Sequence, residues 1–226
     1  MAATLASLRD QARLRADMQN SKFVSDAEFN QYINDSYAEL YDLLVSKFED
    51  YYVAAPLIFS VTSGNTYDLP TDFYKLKGLD RALSGNEEYY TLRPYTFEER
   101  NARRSATRFR GMYPAIRYRI FGNKIYFSPD DQATGSYRMW YIPTYNTLTL
   151  ETDTVQNVVG WEVYIVVDAS IKALQKEESD VSVLMAMKAD LIRRIETMAA
   201  NRDVGEPERV TDISMHNFDS SFYMGG

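Results

Sequence analysis

The apolar residues change period twice along the chain, and this constrains the fold more than any other feature. In "SDAEFNQYINDSYAELYDLLVSKF" Phe29, Tyr32, Ile33, Tyr37, Leu40, Leu44 and Phe48 recur every three or four residues, the spacing of one helix face. Ser25 and Glu28 precede that run as a capping box, each satisfying an N–H the helix leaves open. From about residue 53 to 150 the period shortens towards two. "APLIFSV", a Ser-Gly-Asn turn and "TYDLP" predict one hairpin; "AIRYRIF", Gly122-Asn123 and "KIYFSP" predict a stronger one. "YKLKGLDRAL" and "EYYTLR" read as weaker strands, and "SYRMWYIPTY" as the third strand of a β-meander. Helical spacing returns in "GWEVYIVVDASIKALQKEE". It continues in "VSVLMAMKADLIRRIETMAANR", where Leu184, Met187, Leu191, Ile195 and Met198 form one stripe.

The expected fold is therefore α+β: an α-helical bundle, made of two helical hairpins from the chain ends, with a β-rich meander insert and an extended C-terminal arm. The bundle takes 1–52 and 157–201, with helices near 3–18, 25–48, 160–178 and 181–201. The insert takes 53–156, with a short helix near 96–106 capped by Thr96. The arm takes 202–226.

Composition removes most chemistry. The chain has 226 residues, no Cys and one His, His216, so disulfides, thiolate metal sites and a Ser-His-Asp triad are not expected. No nucleotide-binding or hydrolase motif occurs, and neither a catalytic residue, a metal nor a cofactor is expected. Without a long apolar run or an apolar leader, no membrane contact is expected. One catalytic alternative remains: Glu28, Asp35, Glu39 and Asp42 on the second helix as the carboxylates of a peptidoglycan hydrolase.

Charge is uneven. Between Arg93 and Arg119 eight arginines stand against Glu98 and Glu99, in a chain of net charge −7. Arg100, Arg103, Arg104 and Arg108, in a segment that also carries Tyr90, Tyr95, Phe109 and Tyr113, suit a subunit or partner interface, a nucleic-acid module or a solvated face. The overall acidity opposes general DNA affinity, so the interface is the preferred role.

Beyond Asn201, Gly205 and Pro207 stop the helix. Val210, Ile213, Met215, Phe218, Phe222, Tyr223 and Met224 then follow neither period. Such a segment buries too little apolar area to order by itself, which suits an arm that orders on a partner.

The chain resembles the head-to-tail adaptor (connector) proteins of short-tailed bacteriophages. The resemblance rests on "RADMQNSKFVSDAEFNQYINDSYAELYDLL", "LPTDFYKLKGLD", "GWEVYIVVDASIKALQKEESDVSVLMAMKADLI" and "AANRDVGEPERV", and thins over 100–155. It implies a structural virion protein at the head–tail junction that resides in the host cytoplasm before assembly. Copies would form a ring, a dodecamer, beneath the portal protein. The ring would join tail nozzle or tail-fibre proteins and pass double-stranded DNA without reading its sequence. The C-terminal arm would dock on the portal, with Phe218, Phe222 and Tyr223 as anchors.

Overall fold

The computed structural model describes residues 3–83, 88–101, 115–156, 158 and 160–199. Within them lie four α-helices and eight strands: α1 Leu5–Arg15, α2 Asp26–Lys47, β1 Leu57–Val61, β2 Thr66–Asp68, β3 Phe73–Ala82, β4 Tyr89–Thr91, β5 Arg93–Pro94, β6 Arg117–Phe121, β7 Lys124–Ser128, β8 Gly135–Pro143, α3 Glu162–Lys176 and α4 Ser182–Ala199.

α2 begins as its sequence dictates. The Ser25 hydroxyl accepts from the Glu28 N–H at 3.3 Å, and the Ser25 N–H donates to the Glu28 carboxylate at 2.9 Å. Phe29, Ile33, Tyr37, Leu40 and Leu44 line its buried face. α1 is tied down by the loop before α3. Leu5 N–H donates to Asp153 O, Ala6 N–H to Glu151 O, and Arg9 makes a two-pronged pair with the Glu151 carboxylate. These contacts use N–H groups that a helix start leaves open.

The two-hairpin bundle with a meander insert is not what forms. α3 is the centre of the helical layer, packed against α1, α2 and α4. From Tyr164 to Ile171 every residue of α3 is buried, so it needs cover on three sides, not one. α4 supplies little of that cover: Ile195 is its one fully buried side chain among the described residues, while Leu184 and Leu191 are half-buried and Met187 and Met198 exposed.

The strands make a second layer with its own core. One sheet has the order β1-β8-β3-β4 and the other β2-β7-β6-β5. Phe59, Leu79, Tyr137 and Met139 of the first meet Ile125 and Phe127 of the second, with Phe127 and Tyr137 rings 4.3 Å apart. The Gly122-Asn123 hairpin forms, with Gly122 at φ +57°. The other expected hairpin does not. β1 pairs with β8 and β2 with β7, so the Ser-Gly-Asn stretch crosses between sheets. The Asn65 side chain pins that crossing by donating to Asp130 at 2.7 Å. β8 likewise leaves β7 for the opposite sheet, where it lies between β1 and β3, so there is no meander. Of the helix expected near 96–106, the described part is a 3-10 turn at Glu98–Arg100, with Phe97 at its cap position. Among the described residues no helix is long and apolar enough to cross a membrane.

Candidate assembly surface

Arg100 is the one residue of the expected arginine set that the described structure contains; Arg103, Arg104 and Arg108 lie outside it. Arg100 is exposed, its guanidinium 4.1 Å from the centre of the Phe97 ring and bonded to the Phe97 carbonyl at 2.9 Å. Arg119 of β6 approaches the same ring at 6.0 Å and the Phe121 ring at 5.6 Å, and donates to the Tyr95 carbonyl at 2.8 Å. Phe97 and Phe121 meet edge to face at 5.7 Å. Phe97 is 47 % exposed, so the cluster presents an aromatic face between two arginines at the end of the second sheet. Aromatic and Arg side chains of this kind carry most of the energy at protein interfaces.

A second cluster fixes α4. The Asp168 side chain, 3 % exposed, lies 2.7 Å from Lys172 Nζ and 2.6 Å from Lys188 Nζ. Glu39 of α2 receives the same two lysines at 2.8 and 3.1 Å. Burial pushes the Asp168 carboxyl up, but Lys172 and Lys188 outweigh it and hold it below the usual carboxylate range. Glu39 is lowered by the same balance. Burial alone would lower Lys188, yet Asp168 and Glu39 raise it above the ordinary lysine value. Three helices are thus clasped by ions at a place where α4 offers little apolar contact.

Of the helix carboxylates, Glu28, Glu39 and Asp42 are committed elsewhere. Glu28 caps α2 and pairs with Lys176; that lysine first, then Ser25, lowers its carboxyl to about 2. Asp42 accepts from the Tyr74 hydroxyl at 2.7 Å, and Asp35 is exposed on the same helix. A glycosidase acid must instead be held protonated near neutral pH. Among the described residues no group of His, Cys, Asp or Glu is placed to hold a metal.

Sequence reasoning missed the Asp80 rivet in the first sheet. This buried carboxylate accepts from Arg138 at 2.9 Å, Trp140 Nε1 at 2.9 Å and the Thr91 hydroxyl at 2.9 Å. Asp80 and Arg138 are cross-strand partners in β3 and β8, a pairing visible only once the register is known. All seven expected arm residues, Val210 to Met224, lie outside the described residues.

No curated protein matches this chain. A family model described as SU10 adaptor protein matches residues 3–211, and so takes in the helical layer, both sheets and the first residues beyond α4. The chain belongs to the SU10 adaptor protein family, phage adaptors whose role is structural and whose place is the virion.

Proposed function

We propose that this phage adaptor forms a ring at the head–tail junction, a dodecamer that joins the portal to a tail nozzle or tail-fibre protein and continues the DNA channel. The observation that carries this reading is a surface which leaves interface-grade residues uncovered: the Phe97–Arg100–Arg119 cluster and the apolar flank of α4. A ring contact is heterologous, one patch meeting a different patch on the next copy, and a basic segment in an acidic chain suits it. Arg100, with Arg103, Arg104 and Arg108, belongs to that subunit contact. Residues 202–226 serve as the portal arm, anchored by Phe218, Phe222 and Tyr223, and can span about 80 Å if extended.

The test is to mix purified chain with portal-bearing heads and image the junction. Rings are expected for the full chain, and a chain truncated after Asn201 should fold yet fail to attach. Normal attachment of the truncated chain overturns the arm's role; absence of rings with the full chain overturns the whole reading. Tight DNA binding that falls steeply with salt would move the arginine cluster to a nucleic-acid role.

A further inference from the structure

Among the described residues the helical layer leaves a groove open. Its floor is Val166 of α3 and one wall is α1, with Gln11, Leu14 and Arg15; Val163, three residues before Val166, is exposed on α3. α4 comes beside α1, with Arg15 Nη1 3.8 Å from Met187 Sδ. Further along, the Arg194 guanidinium sits 5.9 Å from the ring of Trp161, just before α3. Val183 and Met198 extend that side of α4 at either end, each four residues from Met187 or Arg194 and so on the same side. Leu14 is 62 % exposed, Val183 71 % and Met198 55 %, a run of large apolar side chains that water should not be left to cover. Arg15 and Arg194 rim it, and among the described residues neither is held by a carboxylate.

The chain carries a segment with the complementary chemistry, and it starts just after α4. α4 runs to Ala199. Within 202–217 four carboxylates, Asp203, Glu206, Glu208 and Asp212, stand against two arginines, and Val210, Ile213 and Met215 are the large apolar residues after Pro207. The side of α4 from Val183 to Met198 is about 22 Å long at helical rise. The eleven residues after Ala199, ending at Val210, reach about 36–40 Å when extended, enough to turn back along the helix.

We infer that in the free chain residues 202–217 fold back into this groove. Val210, Ile213 and Met215 pack on Leu14, Val163 and Met187, and the segment's carboxylates face Arg15 and Arg194. The occupant is the chain's own segment because a tether this short gives an effective concentration on the order of millimolar, above any working concentration of a second copy. The contact shields an apolar face before assembly and leaves Phe218, Phe222 and Tyr223 beyond the groove. It stands or falls independently of portal attachment.

The test uses the chain truncated after Asn201 and a synthetic peptide of residues 202–217. Calorimetry should show one peptide per truncated chain. Binding to the full chain should be at least about tenfold weaker, because the tethered segment competes at its effective concentration. Leu14→Glu and Met187→Glu in the truncated chain, both at exposed positions and so compatible with folding, should abolish binding. Hydrogen exchange in α1 and α4 should be faster in the truncated than in the full chain. The inference is overturned if the truncated chain binds no peptide, if the full chain binds it equally well, or if exchange in α1 and α4 is unchanged. It is also overturned, in favour of a second copy as the occupant, if sedimentation shows that the full chain dimerises and the truncated chain does not.

Discussion

Replacing Asp168 with Asn should loosen α4 before anything else. The carboxylate is 3 % exposed, while its lysine partners Lys172 and Lys188 are 22 % and 26 % exposed. Breaking a buried ion pair by removing one partner costs roughly 3–5 kcal/mol. Here the orphaned lysines keep Glu39 and partial access to water, so the expected loss is about 2–3 kcal/mol. In a chain of this size that lowers Tm by about 5–10 °C. Lys188 is the α4 member of the clasp and Ile195 the one α4 side chain fully buried among the described residues, so the loss should concentrate there. Hydrogen exchange should show α4 amides opening at lower free energy in Asp168→Asn, with α2 nearly unchanged. Glu39→Gln, at a 46 % exposed side chain, should cost no more than about 1 kcal/mol. The reasoning fails if the two variants cost the same, or if α2 and α4 lose protection together.

Three further outcomes concern α4, the clasp and the Asp80 cluster. Ile195→Ala should cost about 2–4 kcal/mol in a urea titration, whereas Met185→Ala on the exposed side of α4 should change stability by no more than about 0.5 kcal/mol. The clasp should confer a stability plateau in pH. Asp168 and Glu39 are held low, so their contribution is complete above the ordinary carboxylate value, about 4, and lost as pH falls through their lowered values. Lys172 and Lys188 are held high, so theirs is complete below about 10.4 and lost above it. Thermal melts across pH should show both limbs, and Asp168→Asn should flatten the acid one. Asp80→Ala should cost about 2–4 kcal/mol by melting, since it strands Arg138 and the Trp140 N–H together.

What was legible in the sequence was local. The Ser25–Glu28 box, the α2 face ending at Leu44 and the Gly122-Asn123 hairpin all depend on neighbours within a few residues. The misreadings concern partners far along the chain. Ser63, Gly64 and Asn65 form a plausible tight turn, but β1 finds β8 some seventy residues later, and alternation of side chains cannot say which strand will pair. The α4 stripe was a similar case. Spacing shows that Leu184, Met187, Leu191, Ile195 and Met198 share a side, but not whether anything covers it. Asp168, within the apolar run "VYIVVDAS", could be placed on a helix, but its partners Lys188 and Glu39 come from two other helices. Of the expected arginine set, Arg100 alone falls within the described residues; Phe97 is its neighbour in sequence, but Arg119 and Phe121 are brought to it only by the fold.

The ionic clasp and the exposed flank of α4 are two consequences of one choice of side chains. A helix anchored as α3 is, by an unbroken buried run, has little left to offer a partner beyond its first turn. α4 spends little apolar surface on its own fold and is oriented instead by charge. Lys188 faces inward to Asp168, and Met187, one residue away and so about 100° round the helix, is thereby turned towards the groove. Unlike an apolar contact, which tolerates sliding, the lysine meets two carboxylates at 2.6 and 3.1 Å, so rotation of α4 breaks both bonds. The rotational setting that holds Met187 and Arg194 beside the groove is therefore carried by residues that never touch its occupant. Replacing them should weaken binding at that face without changing a single side chain in it.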